Sequence, residues 1–162
     1  MTDERTCSFS ADRLYRYALE IRWDSGSLFT VIGLNPSTAD ETKDDPTIRR
    51  CKDFAKACHC GALLMLNVFA YRSTDYRTLF TARDPVGPAN SPGEIFGRAQ
   101  DSKYIVAAWG QHSDRKWKYR YQPHAVANEI PRLDCFRVLQ SGHPEHPLYL
   151  PKTCIPIPFR YE

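Results

Sequence analysis

The sequence predicts an α/β fold built on a parallel sheet, because two buried strands are separated by a helical segment. Residues 28–34 and 62–66 are almost continuously apolar, which is typical of strands that are covered on both faces. Between them, apolar side chains from Ile48 to Cys58 recur every three or four residues, the spacing of one helix face. A strand-helix-strand connection of this kind joins parallel strands.

A half-exposed strand is predicted ahead of this unit. Apolar side chains at the odd positions from Tyr15 to Trp23 alternate with mostly polar ones at the even positions, beginning with Arg16. Residues 24–26, Asp-Ser-Gly, then supply a turn. We therefore expect this strand to form an antiparallel hairpin with residues 28–34.

The helix between the two buried strands is predicted to begin after Asp45. This aspartate can cap the helix, and Pro46 suits its first position. The helix is expected to continue to about Cys60 and to end at Gly61.

The C-terminal half predicts two more strands and one more helix. The strands are expected at residues 104–109 and 134–139, and the helix at 114–130, weakened by Pro123. Residues 75–97 are rich in proline and glycine, which indicates a long loop with short helices.

Length and composition indicate one globular domain, residues 1–162. The sequence is 42% hydrophobic and 25% charged, which excludes a disordered chain. The formal net charge of +3 permits contact with phosphates. However, the pI of about 8.5 falls short of the value above about 9 that indicates nucleic-acid binding by itself. We expect a monomer.

The N-terminus and the cysteines indicate a cytoplasmic protein. The first five residues are polar and acidic, unlike a signal peptide, and no apolar run approaches the roughly 18 residues of a membrane helix. No membrane partner is expected, and the six cysteines should stay reduced. Residues 58–60, Cys-His-Cys, lack the loop that separates zinc ligands, so neither a metal nor another cofactor is expected.

Four polar segments stand at the ends of apolar runs. They are GLNPS at 33–37, Asn67, WGQH at 109–112 and GHPEHPL at 142–148. Ligands in open α/β sheets bind beyond the carboxyl ends of the strands, so these segments are expected to share one site. We expect one pocket to be lined by Asn35, Asn67, Trp109 and either His143 or His146.

These segments resemble, in the same order, the motifs of the uracil-DNA glycosylase superfamily. The resemblance is carried by GLNP at 33–36 in an asparagine-bearing version, LLMLNV at 63–68, IVAAWG at 105–110 and GHPEHPL at 142–148. It implies a three-layer α/β/α domain with a short, mainly parallel sheet, here with an added N-terminal antiparallel strand. It also implies cleavage of the N-glycosidic bond of a base, possibly a modified one.

A closer resemblance is to a family of small bacterial and phage proteins known only as domain of unknown function 1643. GLNPSTAD at 33–40, DPTIRR at 45–50 and GHPEHPLY at 142–149 carry it. This likeness implies no activity of its own.

The superfamily resemblance assigns a role to each segment. Asn35, held by the stiff Pro36, would orient the attacking water. Asn67 offers one acceptor and two donors, which suits the edge of a base. A neutral histidine at 143 or 146 would donate a hydrogen bond to the leaving base. The expected substrate-binding residues beside Asn67 are Gly33, Pro36, Ser37 and Trp109.

Two assignments stay open at this point. An amide at position 35 cannot accept a proton, so base excision is either slow or assisted by a nearby carboxylate, for which the candidates are Asp40, Asp44 and Asp45. The final motif has one extra residue between its prolines, so His143 and His146 are both candidates. His143 is favoured because it directly follows the predicted strand end.

A second candidate surface is RKWKYRY at 115–121, where basic and aromatic residues interleave. Phosphates would contact the basic members, and a base would stack on Trp117. The basic members are Arg115, Lys116, Lys118 and Arg120. A solvated helix face with buried aromatic side chains is the equally weighted alternative. Arg49 and Arg50 are candidates for holding a phosphate or are ordinary surface charges.

The sequence therefore predicts a glycosylase-like hydrolase that acts on a base in nucleic acid, DNA in preference to RNA. One alternative is a base-binding protein without catalysis, which the missing aspartate favours. The other is a hydrolase of free nucleotides, which the small basic excess favours.

Overall fold

A seven-stranded sheet organises this mixed α/β fold. The computed structural model describes residues 2–111 and 117–162. The strands are β1 (Glu4–Phe9), β2 (Arg16–Arg22), β3 (Leu28–Gly33), β4 (Ala62–Asn67), β5 (Tyr104–Ala107), β6 (Asp134–Cys135) and β7 (Ile157–Pro158). The helices among the described residues are α1 (Pro46–Ala57), α2 (Pro92–Ala99) and α3 (Gln122–Glu129), with short 3₁₀ helices at Tyr76–Phe80 and Pro147–Tyr149.

The strand order is β1-β2-β4-β3-β5-β6-β7, and the sheet is mixed rather than mainly parallel as expected. β3 runs parallel to β4 and β5, and β5 runs parallel to β6. The pairs β1–β2, β2–β4 and β6–β7 are antiparallel. The buried parallel strands leave long apolar runs in the sequence, whereas the edge strands β1 and β7 are exposed or short and leave a weaker signal.

The predicted hairpin between β2 and β3 is wrong, because β4 lies between these two strands. The turn at residues 24–26 wraps around Gly61 instead of closing a tight hairpin. Trp23 N and Asp24 N both donate to Gly61 O at 3.0 Å. A Cβ on Gly61 would lie 2.4 Å from Gly26 N, so this approach requires glycine. Gly61 thus directly precedes β4, which pairs with β2.

The two faces of the sheet bury separate apolar clusters. Phe29 and Val31 of β3 pack with α1 residues that include Phe54. Ile32, which faces the opposite way, packs with residues of α2 and α3 that include Val126. Successive side chains of β3 therefore point into one cluster and then the other, which explains why neither face of this strand is polar.

The central helix α1 begins where the sequence predicted and ends earlier than predicted. The Asp45 side chain caps it by accepting from Ile48 N at 2.9 Å, and Pro46 stands in its first turn. The helix ends at Ala57, ahead of the expected Cys60. Residues 58–61 instead form the turn that leads into β4.

The C-terminal helix and strand are both shorter than predicted. α3 begins only at Gln122, so Pro123 stands in its first turn, where a missing N–H costs little. Residues 114–116 of the predicted helix lie outside the described part of the chain. β6 ends at Cys135, and Val138 makes only an isolated bridge to Pro144. The chain there turns back towards the last polar segment.

The proline-rich region 75–97 contains the short helices that its sequence predicts. The second of them, α2, begins with a capping box between Ser91 and Glu94. No helix within residues 2–111 or 117–162 is long and apolar enough to span a bilayer.

Candidate functional site

A cavity of about 560 Å³ opens at the carboxyl ends of β3 and β4. Small-molecule sites typically have volumes of about 300–1,000 Å³. The predicted site residues that line this cavity are Gly33, Asn35, Pro36, Ser37, Asn67 and His146. Gly110 and Gln111 also line it, so all four polar segments contribute to one cavity.

Backbone pairing beyond the strands joins the first two segments. β3 and β4 stay in register to their last residues, Gly33 and Asn67. The pairing then continues, because Val68 N donates to Gly33 O and Phe69 N to Leu34 O, both at 2.9 Å. The two asparagine-bearing segments therefore leave the sheet side by side.

A single backbone contact joins the other two segments. Gly110 N, three residues beyond the end of β5 at Ala107, donates to Pro144 O at 2.9 Å. This contact places the loop that carries His146 beside Gln111 at the cavity wall.

The side chain of Asn35 is oriented by neighbouring carbonyl groups. Its Nδ2 donates to Ser73 O at 2.9 Å and to Pro36 O at 3.2 Å. Because only the amide nitrogen can donate to a carbonyl, these contacts fix which way the amide points. Oδ1 accepts no hydrogen bond from any described residue, so this oxygen is available to a water molecule or a ligand in the cavity.

The amide of Asn67 is buried without a partner. The residue is 3% exposed, and its Nδ2 makes no hydrogen bond within the described chain. A Cβ on Gly33 would stand 2.9 Å from Asn67 Oδ1, so glycine at 33 leaves the room that this amide occupies. An unpaired amide in a cavity wall is a site for a ligand that both accepts and donates hydrogen bonds.

His146 presents a neutral imidazole with one defined tautomer. Its Nδ1 accepts from Leu148 N at 3.3 Å, which assigns the proton to Nε2. Burial lowers the pKa of His146 from the ordinary value of 6.5 and outweighs the attraction of Asp45. The ring is therefore a hydrogen-bond donor at neutral pH, through Nε2.

His143, the histidine that the sequence favoured, is not a cavity residue. Its Nδ1 lies 3.1 Å from Ser141 Oγ, and its ring packs near Tyr161 at a centroid separation of 5.5 Å. The turn between β6 and the 3₁₀ helix at Pro147–Tyr149 directs His143 away from the cavity, so His146 is the one of the two candidate histidines that lines it.

Asp45 is the one of the three aspartate candidates that lines the cavity. Asp40 accepts hydrogen bonds from its own loop, at Thr42 and Lys43. Asp44 is paired with Arg5 and Lys52. Asp45 uses Oδ1 to cap α1, and its Oδ2 has no hydrogen bond to a described residue.

Two charged cavity residues were missed by the sequence analysis. Glu145 lines the cavity but is ion-paired with Arg137 Nε. Arg16 was assigned to the exposed face of its strand, yet it is buried and lines the cavity. Glu145 stands within the recognised histidine motif, whereas no local signal in the sequence marks Arg16.

Trp109 is a core residue and does not line the cavity, contrary to the expectation that it would share the pocket with Asn35 and Asn67. It is 1% exposed. Its ring meets Phe159 and Tyr161 in edge-on contacts at centroid separations of 6.5 and 5.6 Å. The tryptophan anchors the segment that follows β5 and carries Gly110 and Gln111.

Arg49 and Arg50 also lie outside the cavity lining. Arg49 Nη1 donates to Asp44 O at 3.1 Å on the surface of α1. Arg50 Nη2 donates to Leu150 O, and its guanidinium stands over the Phe54 ring. Both side chains therefore donate hydrogen bonds to backbone carbonyl groups of segments near α1.

The basic and aromatic segment is only partly described, because Arg115 and Lys116 lie outside the described residues, as does His112 of the third polar segment. Trp117 is half-buried, and its ring centroid is 4.9 Å from those of Phe69 and Phe80. Lys118 and Arg120 are exposed. The packing of Trp117 matches the alternative in which the aromatic side chains are buried.

The Cys-His-Cys sequence at 58–60 has no metal-binding arrangement. Burial raises the pKa of both Cys58 and Cys60, which favours the thiol over the metal-binding thiolate. Within the described ranges, no three His, Cys, Asp or Glu side chains are placed to share a metal ion.

Comparison with known proteins assigns a family without assigning an activity. No curated protein matches the chain, and no solved structure matches it. Residues 16–148, which include all four polar segments, match a family described as "Protein of unknown function (DUF1643)". The chain belongs to this DUF1643 family.

Proposed function

We propose that this protein is a glycosylase-like hydrolase that binds a nucleobase in the cavity and cleaves its N-glycosidic bond. The substrate is a base in nucleic acid, DNA in preference to RNA, and the architecture is a three-layer domain like that of the uracil-DNA glycosylase superfamily. The observation that carries this proposal is the unpaired, buried amide of Asn67 in a cavity that also holds Asn35 and His146.

Asn67 is the proposed base reader. A nucleobase edge presents acceptors and donors side by side, which an amide matches with two hydrogen bonds. The Nδ2 of Asn67 is engaged by no described residue, so this donor is available for the pairing. Binding would satisfy the donor that the free protein leaves unpaired.

His146 is the proposed donor to the leaving base. Cleavage of the bond to the sugar leaves negative charge on the base, and a hydrogen bond to a base oxygen stabilises that charge in the transition state. The Nε2–H of His146 is available for this role because Nδ1 is engaged by Leu148 N. A neutral imidazole suffices, since it donates without having to transfer its proton.

Asn35 and Asp45 are the proposed partners of the attacking water. Asn35 Oδ1 can accept one hydrogen of the water, and the free Oδ2 of Asp45 can accept its proton. An aspartate at position 35 would lose the two hydrogen bonds from Nδ2 to carbonyl oxygens. These contacts support an amide at position 35, and in this proposal the carboxylate is that of Asp45.

An excision assay tests this function. The protein is incubated with single- and double-stranded oligonucleotides that carry varied modified bases, and alkali then reveals abasic sites. We expect His146→Ala to lower the single-turnover rate by about 10²–10³ with little change in affinity, because the hydrogen bond acts on the transition state.

His143→Ala is the matched control, because His143 has the same chemistry but stands outside the cavity. This variant should retain the wild-type rate. Tight base binding without abasic sites would refute the hydrolase and leave a base-binding protein. Equal excision rates for wild type and His146→Ala would instead remove His146 from the proposed mechanism.

A further inference from the structure

Arg16 is a buried cation that lines the same cavity. The residue is 2% exposed, and its Nη1 donates to Ala39 O at 2.7 Å. Its Nε is buried without a hydrogen bond, and no ion pair joins it to a carboxylate of the described residues. Burial lowers the pKa of Arg16, against a weaker opposing influence of Asp45. The guanidinium is thus short of hydrogen-bond acceptors and of close negative charge.

An irregularity in the sheet brings Arg16 to this position. Ser8 pairs with Ala18, but the next residue, Phe9, pairs with Arg16, so the register skips Tyr17. A bulge of this kind reverses the face to which the following side chains point. Arg16 therefore reaches Ala39 beside α1, rather than sharing the partly exposed face of Ala18.

The first turn of α1 stands at the same cavity. Thr47 and Ile48 line the cavity, and α1 has 12 residues. Unpaired N–H groups and the helix dipole make such a turn favourable for negative charge. Pro46 lacks an N–H, and the N–H of Ile48 already donates to Asp45. This turn therefore contributes positive electrostatic potential beside Arg16 more than it contributes free hydrogen-bond donors.

We propose that Arg16 and the first turn of α1 form a phosphate subsite, which binds the phosphate attached to the nucleoside whose base is at Asn67. This inference rests on the proposed function and extends it by defining the ligand as a nucleotide. A guanidinium fork matches two phosphate oxygens, and the buried position strengthens both hydrogen bonds. The phosphate supplies the acceptor that Nε lacks in the free protein.

Asp45 makes the subsite weaker than it would otherwise be. Its carboxylate repels a phosphate at the same wall, although it assists the attacking water. Asp45→Asn should therefore bind a nucleoside monophosphate more tightly while it loses excision. Both effects have the same cause, the negative charge of Asp45, which assists the attacking water but repels the phosphate.

The test measures the binding of nucleosides and their 5′-monophosphates by calorimetry. We expect the wild type to bind the monophosphate at least about tenfold more tightly than the nucleoside with the same base. Arg16→Gln should reduce this ratio to near one while it still binds the nucleoside. Arg50→Gln is the matched control, because Arg50 is a partly buried arginine outside the cavity, and it should keep the wild-type ratio.

A second arm uses the wild type alone, in case Arg16→Gln does not fold. Inorganic phosphate should raise the midpoint of thermal unfolding above that in chloride of equal ionic strength. A short oligonucleotide compared with the mononucleotide separates a phosphodiester from a free terminal phosphate as the natural ligand. No stabilisation by phosphate, or equal affinity for nucleoside and monophosphate, would overturn the subsite. Failure to bind any nucleoside would instead count against the base reader at Asn67.

Discussion

Asn67 is a buried residue whose side-chain nitrogen has no hydrogen-bond partner in the described chain, and in the proposed function this group binds the base. An unsatisfied buried donor destabilises a folded protein by about 1–3 kcal/mol. The Nδ2 of Asn67 is such a donor among the described residues, and Gly33 leaves space beside it. A strand end at the centre of the sheet would otherwise favour an apolar side chain.

Replacing Asn67 by leucine should therefore separate stability from binding. Leucine has a similar volume and no unpaired donor, so we expect the free energy of unfolding to stay level or to rise by about 1 kcal/mol. Base binding should be lost in the same variant. Urea unfolding and calorimetry on the same preparation measure both quantities. A large loss of stability would show that the Asn67 amide supports the fold instead.

His146 should give the folded protein a pH dependence of known sign. Burial lowers the pKa of His146 below 6.5, so the unfolded chain takes up a proton at a higher pH than the folded chain. The stability from neutral His146 is complete above pH 6.5 and is lost as the pH falls from there towards the folded pKa. His146→Gln should flatten this part of the curve of unfolding free energy measured between about pH 5 and pH 8. Parallel curves for the two proteins would contradict the burial of a neutral ring.

At the scale of elements, the residue that caps α1, Asp45, also lines the cavity. Asp45 stabilises the first turn through Oδ1 and faces the cavity. The bulge in β2 has a comparable effect on Arg16, which it turns from one face of the sheet to the other. In both elements a local backbone feature decides which charged group reaches the cavity.

Two substitutions of Asp45 should separate its structural role from its chemical one. Asparagine caps helices about as well as aspartate, so Asp45→Asn should keep nearly wild-type stability yet lose most of the excision rate. Asp45→Ala should lose the rate and also destabilise the protein by about 0.5–2 kcal/mol. Chemical denaturation and single-turnover kinetics provide the comparison. Full activity of Asp45→Asn would remove Asp45 from the proposed mechanism.

For the whole molecule, the order of the strands determines where stability and function lie. β4 is buried along its whole length and is paired on both edges, by β2 and β3. The edge strand β7 is two residues long and exposed. The cavity adjoins these central strands, so we expect its walls to belong to the part of the sheet that opens last.

Hydrogen exchange should reveal this gradient. We expect amides of β4 to exchange about a hundredfold or more slowly than those near β7, because edge strands open locally and central strands require global unfolding. Mass spectrometry of peptides that cover each strand measures the two rates. Similar rates in both regions would be inconsistent with the observed strand order.

The sequence by itself determined the local structure around the site. A capping aspartate and a proline predicted the start of α1, and continuous apolar runs predicted β3 and β4, because burial and capping are read within one element. Polar residues at the ends of those runs predicted that Asn35 and Asn67 line one cavity, since parallel strands bring their carboxyl ends together.

The tertiary structure alone decided which strands are neighbours and which charged groups reach the cavity. β4 separates β2 from β3, and at its start Gly61 packs against Gly26, a contact between residues that are distant in sequence. His146 rather than His143 lines the cavity, beside the contact of Gly110 N with Pro144 O. Arg16 faces inwards because of a one-residue bulge. Each of these features depends on contacts between residues that are distant in sequence, and local sequence patterns do not predict such contacts.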